Sequence, residues 1–159
     1  MNIRIVVADE RQANFFDASR PDAALNLTHT IFNPAGGMQD TQLETDRAGR
    51  RFGGASGVSH GSGPQQGHHH GVDGERSTVQ HDLSLFAKTV GQRIDDDRIA
   101  HAFERLVVIA SPKLLGMIRQ SLSSPAQAML AGEVAKDILH HGPDAILKAV
   151  PREAFTELR

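Results

Sequence analysis

Apolar residues along this chain repeat with two periods, and one stretch shows both in succession. Leu106-Val107-Val108-Ile109 has no polar interruption and is rich in β-branched side chains, which suits a strand covered on both faces. Ala110-Ser111-Pro112 follows; Ser111 can cap a helix and Pro112 fits the first helical position. Leu114, Leu115, Ile118 and Leu122 then fall on one helical face. A buried strand running into a capped amphipathic helix is half of a β-α-β unit, so the chain is expected to be an α/β domain.

The other segments arrange themselves around that unit. Ile3 to Ala8 reads as a central strand, closed by the polar turn Asp9-Glu10-Arg11-Gln12. Residues 13–18 form a short aromatic strand, and Ser19-Arg20-Pro21-Asp22 is turn chemistry. Leu25, Leu27, His29 and Ile31 alternate with polar neighbours, a period-2 pattern that predicts a third strand with one buried face. Asn33-Pro34 ends it. Turns this short favour antiparallel neighbours.

Ser77 and Gln80 have capping-box spacing. Val79, Leu83, Phe86, Val90 and Ile94 then predict an amphipathic helix that continues towards Ile99 and Phe103, with Asp95-Asp96-Asp97-Arg98 on a solvated face or at a break. Ser121 to Pro125 reads as a turn. Residues 126–141 contain good helix formers, but Gly132 weakens a helix, and the preceding unit needs a parallel partner. Topology therefore favours a strand at residues 129–134. Gly142-Pro143 starts a short last helix with Ile146, Leu147 and Val150 apolar.

Residues 35–76 differ in kind. Nine of the 15 glycines lie between Gly49 and Gly74, and large apolar residues nearly vanish after Leu43. Burial there cannot offset the entropy of ordering, so a long mobile excursion from a single compact domain is expected.

Composition narrows the chemistry. The 159 residues are 39% hydrophobic, enough for one real core, and the seven Phe are the only aromatics. A net charge of −2 offers no global field for nucleic acid, so any such contact needs a local patch. The absence of Cys removes thiolate nucleophiles, disulfides and Cys-ligated metal sites, and suits a reducing compartment. The first apolar run is too short for a signal peptide or a membrane span. The expectation is a cytoplasmic protein without membrane insertion.

Within the excursion, His60, His68, His69 and His70 are candidate metal ligands, since imidazole suits zinc, nickel or copper. A glycine-flanked histidine run supplies no fixed geometry, and a polar loop with incidental metal affinity is the plainer reading. No cofactor is implied. Arg47, Arg50, Arg51 and Arg76 flank the glycines and can follow a phosphate backbone, although Glu44, Asp46, Asp73 and Glu75 offset their charge. Asp9 and Glu10 close the first strand, where open sheets form sites. With Asp137 they suggest paired metal-holding carboxylates, but Asp at a strand end is ordinary turn chemistry. Ser111 reads as a cap rather than a nucleophile, and His140-His141 as solvent-facing. No catalytic residue is assigned.

Three stretches together, IRIVVADERQANFFDA, LVVIASPKLLGMIRQSL and AMLAGEVAKDILHHGPDAILKAV, resemble the bacterial host attachment protein family, a branch of the archaeo-eukaryotic peptide-release-factor domain. The resemblance implies a ribonuclease-H-like mixed sheet of five strands, ordered 3-2-1-4-5 with the second antiparallel and helices on both faces. It also implies a ribosome, tRNA or rRNA partner reached through the glycine-rich loop. In release factors that loop carries Gly-Gly-Gln for peptidyl-tRNA hydrolysis. Here Gly53-Gly54 is followed by Ala55, and Gln65 and Gln66 follow Gly63-Pro64. Gln65 and Gln66 join the arginines as RNA-binding candidates, and hydrolysis is not carried over. The family's name points to a second reading, an interaction protein of surface attachment without RNA contact.

Overall fold

The protein is represented by a computed structural model that describes residues 1–36 and 71–156, with the side chains of residues 71–76 left out of the description. Five strands make one mixed sheet: β1 (Ile3–Ala8), β2 (Gln12–Ala18), β3 (Asn26–Phe32), β4 (Arg105–Ala110) and β5 (Leu130–Ala135), in the order β3-β2-β1-β4-β5. β2 lies antiparallel between β1 and β3, while β1, β4 and β5 run parallel. This is the order that the family resemblance implies. β1 and β4 lie at the centre of the sheet and are buried on both faces, apolar throughout apart from Arg4 and, at the half-buried start of β4, Arg105.

Strand alternation divides the core in two. On the first face, α1 (Gly71–Ile99), α2 (Pro112–Ser121) and α3 (Ser124–Ala128) cover Val6, Ala8, Phe15, Leu106 and Val108. On the second, α4 (Pro143–Ala149) and a 3₁₀ turn (Arg152–Phe155) cover Ile3, Ile5, Val7, Val107 and Ile109. α1 and α2 meet closely at Gly91, where an added Cβ would lie 2.9 Å from the Ser121 Cβ and carbonyl oxygen. The Ser121 hydroxyl donates across the same contact to the Ala87 carbonyl at 3.1 Å.

The structure departs from the sequence reading at several points, each with a local cause. Of the segment expected as a long excursion, Ala35 and Gly36 belong to a turn, residues 71–76 are already helical, and residues 37–70 lie outside the described residues. Ser77 and Gln80 therefore sit inside α1, not at its start. Packing of the downstream face carries the helix through its glycines against their poor propensity. The buried stripe begins at Leu83, and Val79 is exposed. α1 stops at Ile99 instead of reaching Phe103. His101, at φ 55°, takes the left-handed position, and the amides of His101 and Ala102 close back on the carbonyls of Arg98 and Asp97.

β3 does not bury one face. The β2–β3 register slips between Phe15 and Phe16, so Phe15 pairs with His29 but Phe16 with Leu27, leaving Thr28 as the extra residue of a bulge. The bulge sends His29 and Ile31 to the first face and Leu27 to the second, beside Phe16. Leu27 remains 54% exposed.

Caps were also exchanged. The Ser111 side chain makes no capping hydrogen bond, whereas Ser123 accepts from the Ala126 amide and starts a short helix where a turn was expected. Residues 130–135 are indeed a strand, and Gly132 lies under Pro151, whose ring would stand 2.9 Å from an added Cβ. Gly142 adopts φ 90°, a conformation that favours glycine over a hydroxyl-bearing cap.

The largest departure lies beneath α1. Asp97, expected on a solvated face or at a break, is buried and pairs with Arg4 of β1. The Arg4 side chain is 4% exposed; its Nε also donates to Asp17 Oδ1 at 2.6 Å, and its guanidinium stands 5.4 Å from the Phe103 ring centroid. Burial disfavours this charge. The Asp17 hydrogen bond and the attraction of Asp17 and Asp97 outweigh burial and hold the Arg4 pKa above its ordinary value.

Candidate functional site at the carboxyl ends of the parallel strands

In an open sheet with parallel strands, the chain leaves each strand's carboxyl end into a loop, and those loops gather at one edge. Here the loops after β1, β4 and β5 bring Asp9, Glu10, Arg11, Ser111, Asp137 and His140 around one groove of about 400 Å³. Asp9 is its fixed point. One carboxylate oxygen accepts from the Arg11 and Gln12 amides, both at 2.8 Å, and forms the turn between β1 and β2. The other lies 3.1 Å from His140 Nε2. β4 sits between β1 and β5, so the Asp9–His140 contact reaches past the end of β4, where Ser111 lies. Asp9 is 13% exposed in its side chain and His140 69%, which makes Asp9 the anchored member and His140 the accessible one.

A second recess of about 190 Å³ adjoins the groove through Glu10 and Arg11 and continues to Asn33, Gly36 and Asp82. Asn33 is buried and ties this rim together. Its amide donates to the Arg11 carbonyl at 2.7 Å, its side chain to the Glu10 carbonyl at 2.8 Å, and its Oδ1 accepts from the Ala35 amide at 3.2 Å. Gly36 packs so closely that an added Cβ would lie 2.7 Å from the Glu10 carbonyl oxygen. The Asn33-Pro34 pair, read as a strand stop, therefore also fixes the turn that presents Glu10 and Arg11.

The structure thus brings together Asp9, Glu10 and Asp137, which the sequence had grouped, and adds Arg11, Ser111 and His140, which it offered separately as a turn residue, a cap and one of a solvent-facing pair. It does not assemble the candidates drawn from the glycine-rich segment. Arg47, Arg50, Arg51, Gln65, Gln66, His60, His68, His69 and His70 lie outside the described residues; Arg76 is placed in α1 by its backbone only. Among the described residues, no group of three or more His, Asp or Glu is arranged to hold a metal ion. Asp9, Glu10 and Asp137 share the groove without forming a metal-binding cluster.

The sequence model of a family described as "Protein required for attachment to host cells" matches residues 4–150. The chain belongs to this family. The match runs from Arg4 in β1 to Val150 after α4, so it takes in all of the sheet but Ile3, and all six groove residues. The chain is also similar to the uncharacterized protein RP470 of Rickettsia prowazekii (strain Madrid E), with 42% identity over 48 residues. That segment is 30% of this chain and 32% of the relative, so the alignment spans about a third of the relative's length. No helix among the described residues of this host attachment family member is long and apolar enough to cross a membrane.

Proposed function

We propose that this host attachment family member is an interaction protein, and that the groove at the ends of β1, β4 and β5 is its recognition surface. The observation that carries the reading is the convergence of six polar or charged side chains from three separate loops on one groove, in a chain whose family is described by attachment to host cells. The groove offers carboxylates from Asp9, Glu10 and Asp137, cationic or protonatable groups from Arg11 and His140, and a hydroxyl from Ser111. Asp9 is committed to its turn and to His140, which leaves Glu10 and Asp137 as the exposed acids. That balance suits a partner presenting a basic side chain amid polar backbone, bound by charge-assisted hydrogen bonds.

Asp137→Lys and His140→Ala test the reading, because both residues are exposed and neither change should disturb the core. Bacteria complemented with either variant should attach to host cells less well than those carrying the unaltered chain, at equal protein level and thermal stability. Undiminished attachment by the double variant would overturn the assignment. The ribosome- or RNA-associated reading rests on residues 47–76 and on the family resemblance. Co-sedimentation of the full chain with ribosomes, lost on deletion of those residues, would put it in place of the attachment reading.

A further inference from the structure

The solvent face of α1 bears a stripe with matched halves. Leu85, Thr89, Gln92, Asp96 and Ile99 recur at spacings of four, three, four and three, the repeat by which one helix lies along another, and Lys88 borders them. Leu85 is 46% and Ile99 60% exposed, while Leu83, Phe86, Val90 and Ile94 fill the core from the opposite side of the helix. A groove runs beside the stripe, between Leu85 and Ile31 of β3. Gln92 is the midpoint. Leu85 precedes it by seven residues and Ile99 follows by seven; Lys88 precedes it by four and Asp96 follows by four.

We propose that the protein self-associates through this face, two copies of α1 lying antiparallel with Gln92 on the two-fold axis. That arrangement sets Leu85 against the partner's Ile99 and Lys88 against the partner's Asp96, each contact occurring twice. A parallel pair would set Lys88 against the partner's Lys88 and Asp96 against the partner's Asp96, so charge selects the antiparallel form. Asp96 Oδ1 already accepts from Gln92 Nε2 at 2.9 Å, which holds its carboxylate over the stripe with a second oxygen to spare. Lys88 makes no ion pair among the described residues. One helix face is a small interface, so the dimer is weak and concentration-dependent.

Sedimentation velocity on the full chain over a concentration series should show a reversible monomer–dimer equilibrium. Lys88→Asp, which places acid against acid at both ends of the stripe, should weaken it at least about tenfold, and Lys88→Asp combined with Asp96→Lys should restore it. Because the chain has no Cys, Gln92→Cys supplies a single thiol on the axis, which under diamide should cross-link at least about tenfold faster than Lys148→Cys, exposed on α4 at the opposite face of the sheet. A chain that stays monomeric throughout the series would overturn the proposal. So would a dimer indifferent to Lys88→Asp, or a Gln92→Cys thiol no faster than the control; either would assign the association to another surface or to a different partner.

Discussion

Replacing Arg4 with Ala should be among the most damaging single changes on the first face of the sheet. The guanidinium is 4% exposed and bonds two carboxylates, Asp17 at 20% and Asp97 at 12% side-chain exposure. Removing one partner of a buried pair leaves charge without compensation and costs about 3–5 kcal/mol. Two features place this case near the lower end. Asp17 keeps some solvent, and Asp97 Oδ1 keeps Arg93 Nε at 3.1 Å, although without the alignment of a hydrogen bond. The variant also loses the contact with the Phe103 ring. A cost of about 3 kcal/mol is a large share of the roughly 5–15 kcal/mol that holds a domain together. At about 2–4 °C per kcal/mol for a chain of this size, the melting temperature should fall by roughly 6–12 °C. Urea denaturation of Arg4→Ala, Asp97→Ala and the double variant closes a cycle whose coupling should exceed about 1 kcal/mol. If Arg4→Ala costs less than about 1 kcal/mol, or the two changes simply add, the pair is solvated and the buried network has been misjudged.

Three further outcomes follow from the core and the helix ends. Val108→Asp should abolish the cooperative unfolding transition seen by circular dichroism, since an unpaired carboxylate between two packed layers costs several kcal/mol, on the order of the total stability. Gly91→Ala should lower stability by about 1–3 kcal/mol in urea titrations, because the Cβ meets the Ser121 backbone, while the half-buried Gly116→Ala, whose Cβ meets nothing within 4 Å, should not. Hydrogen bonds from Arg98 and then Ser123 hold the Asp95 carboxylate below its ordinary pKa. Its contribution is therefore complete above the ordinary carboxylate range and drains away as pH falls through the lowered value. The stability gap between the wild type and Asp95→Asn should narrow on acidification over that interval; a gap that widens would contradict the assignment.

The central strands were legible because each carries an apolar run, residues 5–8 in β1 and 106–110 in β4, and period and composition suffice for strands buried on both faces. The order of the sheet was legible only with the family resemblance added. What local pattern could not show is pairing across the chain. Arg4 and Asp97 lie 93 residues apart, and Asp9 and His140 lie 131 apart. A run of three aspartates reads as solvated unless its arginine is known to be waiting under the helix. The bulge at Thr28 defeated the period-2 reading of β3, since one inserted residue reverses every side chain beyond it. Ser111 and Ser123 each precede a Ser/Pro helix start, and only geometry shows which hydroxyl is used. For the groove, a signal was present: Asp9 and Asp137 each follow a predicted strand of the same parallel set, and strand ends in such a set converge.

The central claim is that the groove, not the glycine-rich segment, makes the contact behind attachment. The direct measurement compares two chains in one host-cell attachment assay, at matched expression: a deletion of residues 47–70, and the Asp137→Lys, His140→Ala double variant. The account expects the deletion to retain attachment and the groove variant to lose it, with both proteins folded by circular dichroism. Loss with the deletion and full attachment with the groove variant would contradict it and move the function to the segment between β3 and α1.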